Sequence, residues 1–213
     1  MSASPRRRPL RAFAALILLP WLAGCGGLLP EPPARQLYRA IPSFAFPAGL
    51  PRLPLQLLVA TPSTPAALDA ARIALSRSPV SLEYYAAAVW TDRVPFLVRD
   101  ALVAGFEKSG TVAAVAPEGM GLRSEFVLDS AVDDFQAIYD SSDAPPLVRV
   151  KLDLKLVRIV ERKIVAHTSV AGEARAASNT LPEIVQAFGA ALGGAVQQAV
   201  IWTAGNPVLS TRR

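Results

Sequence analysis

Two stretches of the chain repeat apolar residues every three or four positions, which is typical of a helix with one buried face. In the first stretch these positions are Val94, Leu97, Val98, Ala101, Leu102, Gly105 and Phe106. In the second they are Ile184, Phe188, Ala191, Leu192, Ala195, Ala199 and Trp202. We therefore predict two helices, one ending near Ser109-Gly110 and the other near Gly205.

The residues before each helix suggest how its first turn is capped. Thr91 or Asp92 is expected to cap the first helix, because a short side-chain oxygen can accept a hydrogen bond from a free backbone N–H. Thr180 followed three residues later by Glu183 fits a capping box at the start of the second helix.

Strict alternation of apolar and polar residues indicates strands between the helices. Val148, Val150, Leu152, Leu154 and Leu156 alternate with charged residues, which predicts a long strand with one face in solvent. The alternation changes phase at Leu156-Val157, so a bulge or bend is expected there. Other strands are predicted at 36–40, 55–59, 72–75, 111–116, 124–139 and 164–176, with a hairpin turn at 161–163, while 81–90 fits either a strand or an extended loop.

The order of these elements defines the expected fold class. Strands, a helix, several strands and a final helix predict an α+β domain, in which a mostly antiparallel sheet carries two helices packed on one face.

The first 24 residues have the pattern of a secretory signal peptide. Arg6, Arg7, Arg8 and Arg11 precede an apolar run from Ala12 to Ala23, which is short for a membrane-spanning helix. An uncleaved N-terminal anchor remains the alternative.

The single cysteine of the chain, Cys25, directly follows that run. Leu22-Ala23-Gly24-Cys25 resembles the lipobox of bacterial lipoproteins, which implies cleavage before Cys25 and acylation of the cysteine. Each buried methylene contributes about 0.8 kcal/mol, so two or three acyl chains hold a protein firmly where one does not. A free thiol or an intermolecular disulfide is the alternative.

Removal of the signal peptide changes the charge and fixes the predicted domain organisation. The chain carries +5, of which four arginines precede Cys25, so residues 25–213 carry 5 − 4 = +1, and no basic stripe indicates nucleic acid. We predict a signal peptide at 1–24, an acylated cysteine and proline-rich tether at 25–35, a domain at 36–205 and a tail at 206–213. At roughly 3.1 Å per residue, the tether would span about 30 Å.

The sequence offers little that indicates catalysis. His167, the only histidine, lies beside Thr168 and Ser169, but there is no G-x-S-x-G motif to supply a nucleophile. One histidine and one acylated cysteine are too few for a typical zinc site, and neither a P-loop nor a G-x-G-x-x-G motif is present. We expect a non-enzyme with no cofactor and no metal; a hydrolase using His167 remains a minor alternative.

Three further patterns allow both a structural and a functional interpretation. An acidic cluster of Asp129, Asp133, Asp134 and Asp140 fits a solvated strand face better than a calcium loop. The Gly189-x-x-x-Gly193 pattern fits close packing on the sheet or on a second copy of the protein better than a membrane helix pair.

Aromatic residues surround the third pattern, the Ala86-Ala87-Ala88 run. Tyr84, Tyr85 and Trp90 either belong to the core or form a surface that contacts a lipid or a partner protein. The sequence does not separate these two interpretations.

Several stretches resemble the ABC-type transport auxiliary lipoprotein family, to which paraquat-inducible protein C belongs. They are Arg72 to Pro79, Glu83-Tyr84-Tyr85, Trp90 to Pro95, Leu97 to Gly110, Leu128, Asp134 to Ala137, and Leu181 to Trp202. The resemblance covers roughly residues 36–204. Proline residues between Pro42 and Pro65 obscure where the domain begins, and no functional residue other than Cys25 transfers from the family.

The resemblance implies a role in transport. It implies a periplasmic subunit, held in the outer membrane by its lipid, that works with an MCE-domain protein, an ABC permease and an ATPase to move phospholipids or other apolar molecules between the two membranes. A structural or assembly lipoprotein that does not handle cargo is the alternative, and self-association is left open.

Overall fold

The structure is a computed structural model that describes residues 34–141 and 144–210. The predicted signal peptide, Cys25 and most of the predicted tether lie outside these residues. Within the described part of the chain, the elements belong to one compact unit that begins at Arg35. In chain order they are β1 (Gln36–Tyr38), β2 (Leu53–Val59), β3 (Arg72–Ser76), β4 (Glu83–Trp90), α1 (Val94–Ser109), β5 (Val112–Pro117), β6 (Phe126–Ile138), β7 (Leu147–Arg158), β8 (Lys163–Arg175), α2 (Leu181–Ala204) and α3 (Pro207–Ser210).

The sheet is organised around β6. One edge of β6 pairs with β7 from Phe126 to Ile138, and β7 pairs in turn with β8. The other edge is shared by two strands: β2 pairs with residues 126–128 and β3 with residues 136–138. An isolated bridge from Ser63 to Ala131 lies between them. β2 and β3 therefore follow the same edge of β6 in the same direction, one after the other.

The prediction of a mostly antiparallel sheet was wrong. Four strand pairs are parallel, namely β1–β4, β2–β5, β2–β6 and β3–β6. Three are antiparallel, namely β3–β4, β6–β7 and β7–β8. The eight-stranded sheet is thus mixed and the fold is mixed α and β. The apolar alternation of a strand reports which face is buried, but it does not report the direction of the neighbouring strand.

The two long helices share one core with the sheet. α1 packs on β2 and β5, α2 packs on β6, β7 and β8, and the helices contact each other. The core includes Leu57 of β2, Phe106 of α1, Phe188 of α2 and Leu152 of β7, each fully buried.

The helix ends agree with the prediction more closely at their C-termini. Gly110 ends α1 in the left-handed conformation at φ 62°, and Gly205 caps α2. The N-cap of α1 is Arg93, with no side-chain hydrogen bond, so the proposed cap by Thr91 or Asp92 was wrong. Thr180 is the N-cap of α2, but its hydroxyl lies 2.9 Å from that of Ser178 and the capping box does not form.

α2 is long and apolar enough to cross a membrane, yet 67% of its apolar 18-residue stretch is buried inside the domain.

Glycines on α2 let the extended segment after β1 lie directly against the helix. A Cβ atom on Gly189 would overlap the carbonyl oxygen of Ile41, and one on Gly193 would overlap that of Ser43. The glycine pattern therefore packs against the protein's own N-terminal segment.

The phase change at Leu156-Val157 corresponds to a bulge, as predicted. Leu156 pairs with Ala166 and Val157 pairs with Ile164, so the additional residue is Val165 in β8. An extra residue on one strand of an antiparallel pair bends that strand and increases its twist.

Candidate functional site

A groove of about 660 Å³ opens where β3 and β6 end and β7 begins. Its size lies within the range of small-molecule sites, about 300–1,000 Å³. It is formed mainly by the loop from Arg77 to Leu82, which connects two antiparallel strands, β3 and β4. The lining residues are Ser76, Arg77, Ser78, Pro79, Val80, Ser81, Leu82, Gln136, Ile138, Tyr139, Asp140 and Arg149.

A tyrosine pair lies beside this groove. The hydroxyl oxygens of Tyr85 and Tyr139 are 3.0 Å apart, and the guanidinium of Arg77 lies 4.8 Å from the centre of the Tyr139 ring. Burial and the contact with Tyr139 raise the pKa of Tyr85 well above its usual value of 10.0. Both effects disfavour the phenolate, so Tyr85 stays a neutral hydrogen-bonding group at physiological pH.

The three charged residues that line the groove, Arg77, Asp140 and Arg149, each form an ion pair. The Arg149 Nε atom lies 2.7 Å from an oxygen of Asp134, and its terminal nitrogen lies 3.9 Å from Glu173. Arg77 lies 3.6 Å from Glu83, and Arg175 lies 3.2 Å from Asp140. Burial raises the pKa of Asp134 above 3.8, although hydrogen bonding and charge attraction by Arg149 oppose the increase.

We expect this buried carboxyl to make stability depend on pH. Because the pKa of Asp134 is higher in the folded state, the folded chain binds the proton more tightly, and stability falls as the pH rises through that pKa. The free energy of unfolding of the wild type, taken relative to Asp134→Asn, should therefore increase as the pH is lowered from 7 toward 4. Urea unfolding of both proteins across this range measures the difference, and a decrease on acidification would contradict the assignment.

The groove has the chemistry of a binding surface. It offers hydroxyl groups, an amide and paired guanidinium groups beside the apolar side chains of Ile138 and Val80, and Val80 is 96% exposed. Such a mixture suits an amphiphilic molecule or a protein segment.

His167 lies in a different place. It sits on β8 opposite Lys155 and lines a pocket of about 300 Å³ with Leu154 and Ile164. Among the described residues, no hydrogen bond joins His167 to a hydroxyl or a carboxylate, and no group of three His, Cys, Asp or Glu residues could hold a metal ion. This arrangement gives no support to the hydrolase alternative.

The structure separates the three predicted aromatic residues. Trp90 is 1% exposed and contacts Phe135 and Phe188 edge-on, at ring-centre distances of 5.9 and 5.0 Å, so it is a core residue and not part of a contact surface. Tyr84 lies on the surface side, where its hydroxyl donates to the carbonyl of Ala67. Tyr85 alone approaches the groove, through Tyr139.

A distortion in β4 explains why Trp90 turns inward. Arg72 pairs with Val89 while Ala74 pairs with Tyr84, so β4 carries three more residues than β3 between these two pairs. Ala87, at φ 53°, lies in this irregular segment. The interruption allows Tyr85, Ala88 and Trp90 all to contact the core.

The acidic cluster is explained by ion pairs on the sheet. Asp133 lies 2.9 Å from Lys151, Asp134 pairs with Arg149, and Asp129 is opposite Lys155 in the β6–β7 register. The predicted solvated strand face fits Asp133, which is exposed, but not Asp134, which is buried.

The sequence did not indicate the groove. Ser76 and Arg149 are 73 positions apart and meet only because β3 and β7 pair with opposite edges of β6. The one local signal was Ser-Pro-Val-Ser at 78–81, which predicts a loop. It does not predict which other part of the chain that loop contacts.

A model of the ABC-type transport auxiliary lipoprotein component matches residues 37–200. The chain belongs to this family. The expected resemblance is thereby confirmed over nearly the whole described domain, and the groove, the mixed sheet and the two long helices are features of a family member.

Solved structures show the same fold. Protein XCC0632 from Xanthomonas campestris, of family DUF330, is 28% identical with a TM-score of 0.76, over 83% of this chain and 99% of that one. An uncharacterised protein is 17% identical with a TM-score of 0.56, over 81% and 95%. A PelC dodecamer from Paraburkholderia phytofirmans, 12% identical over 79% and 95%, reaches a TM-score of only 0.42, which supports no conclusion about assembly. Among curated proteins, none matches this chain significantly.

Proposed function

We propose that this protein is a lipid-anchored, non-catalytic subunit of an ABC transport system with an MCE-domain protein, a permease and an ATPase. It stands on the periplasmic side of the outer membrane, with Cys25 as the acylated residue, and the system moves phospholipids or other apolar molecules between the membranes. The match to the auxiliary lipoprotein family over residues 37–200 is the observation that carries this proposal.

Two further features support it. Leu22-Ala23-Gly24-Cys25 follows a signal-peptide pattern, so the cysteine is placed for acylation. The groove presents Tyr139, Ile138 and paired arginines, which suits contact with an amphiphile or a partner segment. Of the aromatic residues considered for such contact, Tyr84 and Tyr85 remain candidates.

Co-isolation tests the proposal. The wild-type chain, extracted in mild detergent, is expected to have a processed N-terminus with the mass of an acylated Cys25 and to bring down the MCE-domain protein. Cys25→Ser is the matched control, since it removes the acylated atom and leaves residues 36–205 unchanged. An unmodified thiol at Cys25, or repeated isolation without the MCE-domain protein, would reject the proposal.

The alternative is an assembly lipoprotein that does not handle cargo. Native mass spectrometry of the detergent-extracted protein separates the two roles. A bound phospholipid that exchanges with added vesicles supports cargo handling, whereas a lipid-free domain that still binds the MCE-domain protein supports the assembly role.

A further inference from the structure

Exposed apolar side chains are concentrated at one end of the domain. We call residues 118–125 and 158–164, the β5–β6 loop and the β7–β8 hairpin, the hairpin tip. Five of the nine large apolar side chains that are exposed among the described residues belong to it. They are Val160 at 84% exposure, Met120 at 64%, Ile164 at 52%, Leu122 at 47% and Ile159 at 38%.

The two parts of the hairpin tip are held together. The Ile159 N–H donates to the carbonyl of Glu125 at 2.9 Å, and Arg158 lies 3.4 Å from Glu125 and 3.1 Å from Glu161. The hairpin turn itself closes with the Arg162 N–H donating to the Ile159 carbonyl at 3.2 Å. The apolar side chains therefore stand on a bonded framework and are presented together.

The unpaired charges of the hairpin tip are mainly positive. Arg158 is neutralised by Glu125 and Glu161. In the described part of the chain, three basic residues of the tip form no ion pair: Arg123, Arg162 and Lys163. Only one acidic residue of the tip, Glu118, likewise forms none. A surface of this kind attracts a partner of opposite charge and orients it during encounter.

The charge balance of the hairpin tip favours a protein over a lipid surface. Its four basic residues are accompanied by three acids, Glu118, Glu125 and Glu161, so its net charge is only 4 − 3 = +1. Anionic lipid headgroups attract clusters of basic residues, whereas a protein partner can present carboxylates to the unpaired cations alone.

We propose that the hairpin tip is the docking surface for a second protein, one that presents an apolar recess bordered by carboxylates. Val160 and Met120 enter the recess, and Arg123, Arg162 and Lys163 face its acidic border. Apolar side chains at the centre with charges at the rim are the usual arrangement of a protein interface.

Crosslinking in intact cells tests this docking surface. A photoreactive amino acid replaces Val160 in the full acylated chain, and Ile41, which is 72% exposed and lies outside both the groove and the hairpin tip, serves as the matched control position. Mass spectrometry identifies each adduct. We expect the Val160 probe to form an adduct with another protein that the Ile41 probe does not form. The double variant Arg162→Glu with Lys163→Glu should lower the yield of the Val160 adduct about fivefold or more, without changing the urea midpoint of unfolding.

Other adducts would overturn the proposal. An adduct with phospholipid would make the tip a membrane contact, and an adduct with the same chain would make it a contact between copies. Equal labelling from Val160 and Ile41 would leave the tip without a partner. The outcome is separate from that of the proposed function. If the Val160 adduct contains a protein other than the MCE-domain protein, the docking surface stands and the transport role is rejected. If the double variant Met120→Glu with Val160→Glu still co-isolates the MCE-domain protein as the wild type does, the transport role stands and the docking surface is rejected.

Discussion

Replacing Gly172 by alanine is expected to lower the free energy of unfolding by about 3 kcal/mol, since overpacking at this site forces the backbone to move. Gly172 lies on β8 where α2 crosses it. A Cβ atom there would overlap the carbonyl oxygen of Ala191 and the backbone nitrogen of Ala195. Both atoms belong to the main chain of α2, so no side-chain rotation relieves the overlap. Urea unfolding followed by circular dichroism measures the loss.

A second glycine at the same contact provides the control. A Cβ atom on Gly194 would lie 3.6 Å from the Cα atom of Gly172, which is an ordinary contact. Alanine favours a helix interior over glycine by about 0.8–1.0 kcal/mol, so Gly194→Ala should leave the stability unchanged or raise it. Equal stability of Gly172→Ala and the wild type would show that α2 does not approach β8 as closely as described.

Replacing Trp90 by alanine is expected to cost about 3–5 kcal/mol, the range for truncation of a buried aromatic residue. The Trp90 ring packs against Phe135 and Phe188, and both of those rings are fully buried. Tyr84→Ala should cost about 1 kcal/mol, because it loses mainly the hydrogen bond to Ala67 and the contact of the Arg72 guanidinium with its ring.

Trp90→Phe distinguishes packing from hydrogen bonding. The indole nitrogen of Trp90 is buried and has no hydrogen-bond partner in the described part of the chain. Phenylalanine removes that unsatisfied donor while keeping an aromatic ring, so it should cost much less than alanine. If Trp90→Ala unfolded at the same urea concentration as Tyr84→Ala, the core position of Trp90 would be wrong.

Features that depend on neighbouring residues in sequence were predictable. The apolar periodicity of a segment shows which side of that segment is buried. It therefore predicted both long helices, the hairpin strands β7 and β8, and the bulge at Leu156-Val157. The glycine at the end of α1 was predictable for the same reason, since a left-handed residue there favours glycine.

Features that depend on distant residues were not predictable from a single chain. The parallel pairing of β2 and β3 with β6 joins positions more than 60 residues apart. The groove depends on those pairings, and the contacts of Gly189 with Ile41 and of Gly172 with Ala191 depend on how α2 lies across the domain. Trp90 was ambiguous because its inward direction results from the irregular segment of β4, which no alternation in the sequence revealed.

The use of one β6 edge by two successive strands has a consequence for the order of folding. β2 can pair with β5, and β3 can pair with β4, as soon as those strands have emerged. The two pairs cannot be joined to each other, however, until the residues from 126 to 138 are present. The hairpin of β6 with β7 requires only adjacent chain and is free to close first. We infer that β6 is the template that joins these two pairs, and that the edges of β2 and β3 that face β6 stay open to other chains until it arrives.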